Sequence, residues 1–285
     1  MKPIEATGVT RTFGTFTAVN NANITLHTGE VVGLLGANGA GKTTLIKMIL
    51  GLLIPTAGHI RLFGRPQSRQ QRHRIGYVPQ NLGLYPDLTA KENLEFRTKI
   101  FGVTAQNTGI TPFGNKLVGS IPLGLQRRAA FAAATQHQPE LLILDEPTSG
   151  VSPLARSKLW DQIHARAENE TAVLVSTHYM DEALQTDRLI VMAEGKILAD
   201  GSANEIVAGR KTVEITTDRW ADAFNLLDCD SPDSSTPRVS LAGRKVRVMS
   251  QSIDTIRDKL DKAGINADVK LVDATLDETI VKLAS

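Results

Sequence analysis

The chain has 285 residues, 41% of them hydrophobic and 22% charged, with a formal net charge of +2. That composition lies near the globular average and supplies ample core, while so small a charge leaves no electrostatic footprint for a nucleic-acid partner. Cys229 is the single cysteine, which excludes an intramolecular disulfide and fits a reducing compartment.

The opening "MKPIEATGVT" lacks an apolar h-region, so no secretory signal is expected. No apolar run approaches the ~20 residues that span a bilayer, so any membrane role has to come through a partner. The short apolar run "EVVGLLG" (residues 30–36) predicts a buried strand. "GANGAGKT" (residues 36–43) follows it, and "KTTLIKMILGLL" then carries helical apolar spacing, with Gly51 and Pro55 as stop signals. A glycine-rich turn between a buried strand and a helix is the setting of a phosphate-binding loop. Its glycines let successive N–H groups converge on phosphate oxygens, and the helix N-terminus adds its positive dipole end. Gly36, Asn38, Gly39, Ala40, Gly41 and Thr44 belong to this cradle; Lys42 reaches the β- and γ-phosphates, and the Thr43 hydroxyl ligates Mg²⁺.

Farther along, "GYVPQ" ends a strand with Gln80, whose amide suits Mg²⁺ and an attacking water, although alone it reads as a polar strand end. "LTAKENLEFRTKIFG" predicts a helix entered through a capping box of Thr89 and Glu92. "GVTAQNTGITPFGNK" is turn-rich, and "GLQRRAAFAAATQ" is a strong helix former. "LLILD" (residues 141–145) is a second buried strand, and it delivers Asp145 and Glu146 at the end where parallel sheets present ligand-binding groups. Asp145 suits Mg²⁺, held through water, and Glu146 is placed to orient or deprotonate the attacking water. "SPLARSKLWDQIHARAEN" predicts a helix with Ser152 as N-cap and Pro153 at its first position. "TAVLVST" is a third buried strand with His178 just past it, and "DRLIVMAEGKILADG" reads as two strands joined tightly at "AEGK". Strands alternating with helices predict an α/β fold with a mostly parallel sheet covered on both faces. After about Ala208 the texture changes. "KTVEITTD" and "RKVRVMS" alternate like half-exposed strands, "IDTIRDKLDKAG" and "TLDETIVKLAS" are helical, and "DCDSPDSSTPR" is a polar loop. The division expected is residues 1–208 and a small α+β domain over residues 209–285.

Taken in order, "RTFG", "GANGAGKT", "GYVPQ", "LLILDEPTSG" and "STHYMDEA" resemble the ATP-binding cassette family of transporter ATPases over residues 2–201. The extension ending "TLDETIVKLAS" and the stretch "QNLGLYPDLTAKENLEF" are similar to the drug and lipid exporter branch. The resemblance implies a P-loop NTPase fold: an antiparallel N-terminal β layer, the parallel core sheet, and a helical arm over about residues 88–137. It implies ATP and Mg²⁺ as ligands, Phe13 as the stacking face for adenine, and His178 as a γ-phosphate contact. It also implies an integral membrane permease and a second cassette as partners, with the chain peripheral on the cytoplasmic side of the membrane. Each ATP would lie between one cassette's phosphate loop and the other's signature motif, so that closure on ATP and opening after hydrolysis drive the permease.

The signature departs from the family's Leu-Ser-Gly-Gly. The aligned residues read Ile121, Pro122, Leu123, Gly124. Pro122 removes the serine hydroxyl that would bond the γ-phosphate, Leu123 crowds a glycine position, and Gly124 with the dipole of the following helix remains to meet an anion. Ser152 stands where the family has aspartate, and the arm is shortened at residues 102–116. Two readings stay open, a tolerated variant and a weakened site. In a homodimer the altered turn would occur at both sites, whereas a heterodimer leaves one site with a partner's intact signature; the departures lean toward the mixed pair. A weakly hydrolysing, nucleotide-gated subunit and a soluble cassette that does not transport are the alternatives.

Overall fold

A computed structural model of the chain describes residues 1–104, 110–228, 239–249 and 252–284. Residues 229–238, the polar loop that carries Cys229, and residues 105–109 of the turn-rich stretch lie outside them. The described chain divides into two units, Met1–Asp200 and Gly201–Ser285.

The first part runs β1 (Ile4–Phe13), β2 (Phe16–Leu26), β3 (Val31–Leu35), α1 (Lys42–Ile49), β4 (Ala57–Leu62), β5 (Arg65–Pro66) and β6 (Ile75–Val78). It continues through α2 (Ala90–Phe101), α3 (Leu123–Thr135), β7 (Leu141–Asp145), α4 (Pro153–Glu168), β8 (Ala172–Thr177), α5 (Met180–Ala183), β9 (Arg188–Ala193) and β10 (Lys196–Gly201). The aliphatic runs of β3, β7 and β8 are buried end to end, which is what a sheet covered on both faces requires. They sit in a six-stranded sheet of order β10-β9-β3-β8-β7-β6, with parallel pairing from β9 through β6. Side-chain alternation sends Val32, Leu34, Leu141, Ile143 and Leu174 into one core cluster. Val31, Leu142, Leu144, Val173 and Val175 go to the opposite one. The first cluster also takes the inner residues of an antiparallel sheet of order β2-β1-β4-β5 and the apolar side of α1; the second is shared with α3 and α4. The β9–β10 turn has Glu194 and Gly195 both at positive φ, 48° and 75°, the combination a two-residue hairpin needs.

The arm is α2 and α3 joined by short 3₁₀ turns, with a core of its own around Leu94, Phe113, Val118 and Ala129. Thr89 and Glu92 form the expected capping box at the start of α2. At the far end the Phe101 and His137 rings stack with centroids 3.8 Å apart, and His137 Nε2 lies 3.1 Å from the Ile75 carbonyl. Burial holds the His137 imidazole below its usual range; the Ile75 carbonyl opposes this, and Arg97 and His73 add to the depression. The folded chain therefore binds this proton less readily than the unfolded one. The associated stability is whole above the unfolded value near 6.5 and is lost as pH falls toward the lowered one. The advantage in thermal midpoint of the wild type over His137→Gln is expected to shrink between about pH 7.5 and about pH 5.5. A constant gap would assign the stack no proton linkage.

The second unit opens with α6 (Ala203–Val207), capped by Ser202 and Glu205, then β11 (Lys211–Thr216), α7 (Trp220–Asp228), β12 (Val239–Ala242), β13 (Lys245–Val248), α8 (Ile253–Lys262), β14 (Asp268–Asp273) and α9 (Leu276–Ala284). Its antiparallel sheet has the order β12-β13-β11-β14, a split β-α-β arrangement with a core of Val213, Ile215, Val246, Val248, Ile256 and Leu260. On the other face Glu214 meets Lys245 at 2.6 Å and Arg247 at 3.3 Å, and Arg247 reaches buried Glu278 of α9 at 3.3 Å. Among the described residues no helix is long and apolar enough to cross a membrane.

Candidate functional site

Four adjacent parallel strands, β3, β8, β7 and β6, end on the same side of the sheet. Each releases one functional segment there: the glycine loop, His178, the Asp145–Glu146 pair and Gln80. This convergence is the structural reason that motifs far apart in sequence share a site.

The loop at residues 36–43 turns tightly enough to demand glycine. A Cβ on Gly36 would lie 2.4 Å from the Met192 carbonyl oxygen, and one on Gly41, at φ 101°, would lie 2.4 Å from that of Ala18. Lys42 closes the turn from within. Its side chain is 5% exposed, and the ammonium donates to the carbonyls of Gly36 at 2.7 Å and Ala37 at 3.0 Å. Burial pushes the Lys42 pKa below the ordinary lysine range against the pull of Glu146 and Asp145. A cavity of about 420 Å³ opens beside it, lined by residues 38–44 of the loop with Phe16, Ala18, Gln80 and Glu146.

Thr43 Oγ1 donates to Asp145 Oδ2 at 3.0 Å, and Ser176 Oγ donates to Asp145 Oδ1 at 2.5 Å. A hydroxyl and a nearly inaccessible carboxylate are hard oxygen ligands, the donor set that suits Mg²⁺ arriving with a phosphate. The carboxylate's field reaches Tyr77, whose phenol is pushed up to about 12 by burial first and Asp145 second. Ser176 also accepts the Glu146 N–H at 3.0 Å, so one hydroxyl from β8 fixes both acidic residues at the end of β7.

Glu146 sits in the left-handed region at φ 49°, a conformation costing about 1–3 kcal/mol for a residue with a side chain. Its carboxylate is the hub of the site. Lys42 Nζ is 3.8 Å from Oε1; His178 Nδ1 and Gln80 Nε2 are each 3.4 Å from Oε2. A carboxylate so placed beside a phosphate cradle is set to hold a water and take its proton.

Phe13 lies outside this cluster. It ends β1, is 46% exposed, and carries the Arg11 guanidinium 4.5 Å above its ring, whereas Phe16, its partner across the β1–β2 turn, lines the cavity. Gly124 belongs to a separate surface. There Pro122 is the N-cap of α3 with no side-chain cap, so the first-turn N–H groups have no oxygen from that residue's side chain. Leu123 rests on Gly150, Gly124 faces Ala155, and Ser152 caps α4 with its hydroxyl accepting the Ala155 N–H at 3.4 Å. Sequence reasoning missed Phe16, Ser176 and two buried charges. Arg127 bonds the loop after Glu146. Glu182, 1% exposed, accepts from Thr177 at 2.6 Å and from Thr148, with Arg156 3.3 Å away. The pairing of β7 with β8 sets Ser176 beside Asp145, and α3 brings Arg127 to the carbonyls of Glu146 and Ser149.

A family model described as ABC transporter matches residues 19–149. The chain is 41% identical over 219 residues to the probable multidrug ABC transporter ATP-binding protein YbhF of Escherichia coli, covering 72% of this chain and 38% of that protein. It is 36% identical over 255 residues to the Nod factor export ATP-binding protein I of Burkholderia lata, covering 84% and 80%. It is 38% identical over 210 residues to the bacitracin transport ATP-binding protein BcrA of Bacillus licheniformis, covering 69% of each. The chain thus spans well under half the length of the first of these relatives. Among solved structures, an ATP-binding subunit of an ABC transporter superposes with a TM-score of 0.66 at 25% identity, covering 71% of this chain and 91% of the other. The dimeric structure of the bacterial cassette MJ0796 gives 0.64 at 25%, covering 70% and 98%.

Proposed function

The chain belongs to the ABC transporter family, and from that premise we infer that it is the ATP-binding and hydrolysing subunit of an exporter, working on a separate membrane permease. The observation that carries this reading is the meeting of Lys42, Thr43, Asp145 and Glu146 at the mouth of the glycine loop. In the reaction, loop N–H groups and Lys42 hold the β- and γ-phosphates, and Lys42 gives up its carbonyl partners to do so. Thr43 and Asp145 are the residues that would hold Mg²⁺, which neutralises phosphate charge when bound. Glu146 aligns a water and accepts its proton as the water oxygen attacks the γ-phosphorus and the bond to the β-phosphate oxygen breaks. His178 and Gln80 steady that carboxylate and face the transferring group.

Coupling follows from differential binding. ATP favours the closed pair of cassettes, hydrolysis removes that preference, and the permease follows the population. On the arm, Tyr85 and Phe96 meet edge to face at 5.4 Å, and Ile100 lies a turn beyond, all of them well exposed. This apolar patch is the surface proposed for the permease, which would hold the chain on the cytoplasmic face of the membrane.

The partner cassette is proposed to be a different chain with an intact signature. Pro122 supplies neither a hydroxyl nor an N–H to a facing phosphate, a loss of about 1.5–3 kcal/mol, or about 10- to 100-fold in closure. The isolated chain should therefore turn over ATP more slowly than the same chain in its native complex, and Pro122→Ser should raise the isolated rate by about tenfold or more. A fast isolated chain that Pro122→Ser leaves unchanged would contradict the mixed pair.

A further inference from the structure

We propose that Arg127 is a positioning residue through which the turn at residues 122–124 sets the orientation of Glu146 in the same chain. The inference rests on the ATPase reading above. Arg127 is the fifth residue of α3, one helical turn beyond the signature turn, and its side chain is 93% buried. Its guanidinium nitrogens bond inward. Nη1 donates to the Glu146 carbonyl at 2.9 Å, and Nε and Nη2 both donate to the Ser149 carbonyl, at 3.1 and 2.8 Å.

Three donors of one rigid guanidinium thus span the loop that carries the acid. The choice of partners is informative. A buried arginine is most economically neutralised by a carboxylate, yet these bonds go to main-chain carbonyls, and burial pulls the Arg127 pKa down while Glu146 and Glu182 act on it from a distance. What those bonds hold is Glu146 at φ 49°, a backbone state that a residue with a side chain keeps only when its surroundings impose it. Ser176 holds the N–H side of that residue and Arg127 holds its carbonyl side. The direction in which the carboxylate leaves the loop is fixed by these two grips.

The same helix contacts the loop again at its start. Leu123 lies against Gly150 and Gly124 faces Ala155, so a shift of α3 is transmitted at both ends of residues 146–151. An anion meeting the N-terminus of α3 would draw the helix along its axis, and the guanidinium fork would carry that displacement to the Glu146 carbonyl. Occupancy of the signature turn would in this way be reported to the acid of the chain's own site.

The test compares the full chain with Arg127→Met, which keeps the stem and deletes the fork, and Arg127→Lys, which keeps the charge and at most one of the two carbonyl grips. ATP affinity is read by equilibrium titration in the presence of magnesium, and turnover by phosphate release. Arg127→Met is expected to leave ATP affinity within about twofold while lowering kcat by about 10- to 100-fold; Arg127→Lys should fall between it and the wild type. Pro122→Ser, expected to speed the wild type, should have lost its effect in the Arg127→Met background. Equal losses of affinity and kcat would mark a merely structural role and overturn the proposal. So would an Arg127→Lys variant with the full wild-type kcat, should Arg127→Met fail to fold. The wild type and Glu146→Gln separate the two readings. A full chain that releases no phosphate overturns the ATPase reading and this inference with it; full turnover in Glu146→Gln removes Glu146 from the water-activating role and the inference with it, whereas turnover lost there but intact in Arg127→Met overturns this inference alone.

Discussion

Glu146→Gln is expected to lower ATP turnover by about 10³-fold while ATP binding persists. The amide keeps the size of the side chain and its contacts near His178 and Gln80, 3.4 Å from the carboxylate, but cannot accept a proton from water. Binding should tighten slightly, because the substitution removes a negative charge 3.8 Å from Lys42 and beside the phosphates. The combination separates chemistry from affinity. Phosphate release from the variant at the wild-type rate would remove Glu146 from the role assigned to it, and loss of ATP binding would mean that the carboxylate supports the loop instead.

Lys42→Ala should produce the complementary result, a loss of about 10²- to 10³-fold in ATP affinity. The Lys42 side chain is almost wholly buried, and a charge held there is worth more to a bound phosphate than it is in water. Its removal also leaves the Gly36 and Ala37 carbonyls without their side-chain donor, so some thermal stability should be lost as well. The measurement that matters is affinity at a temperature where both proteins are folded. Lys42→Arg should not restore it, because a planar guanidinium does not fit a turn in which the chain already passes 2.4 Å from where a Cβ on Gly41 would stand.

The parts of this site that are readable from sequence are those written contiguously. A glycine loop needs its glycines in one run because a single backbone turn uses them, and "LLILDE" announces both a buried strand and its acidic end. Capping boxes are equally local, which is why Thr89 with Glu92 and the N-cap Ser152 can be read directly. Contacts set by strand register are different. Ser176 reaches Asp145 because β8 pairs with β7, and Arg127 reaches Glu146 because α3 lies over that strand's end; neither spacing leaves a local signature. The aromatic residue beside the loop turns on an equally fine point. Phe13 and Phe16 face each other across one hairpin turn, and Phe16 is the one lining the cavity. In the second unit, β11, β13, α8 and α9 carry visible periodicity, whereas β12 is only four residues long and β14 shows little alternation of burial. The change of texture near Ala208 marks the start of β11, and the short α6 before it belongs with the same unit.

The most direct test is to titrate the purified full chain with ATP in the presence of magnesium and to follow phosphate release in the same samples. One saturable site per chain is expected, weakened about 10²- to 10³-fold by Lys42→Ala, with phosphate release lowered about 10³-fold in Glu146→Gln. A folded chain that binds no ATP under these conditions would contradict the ATPase reading.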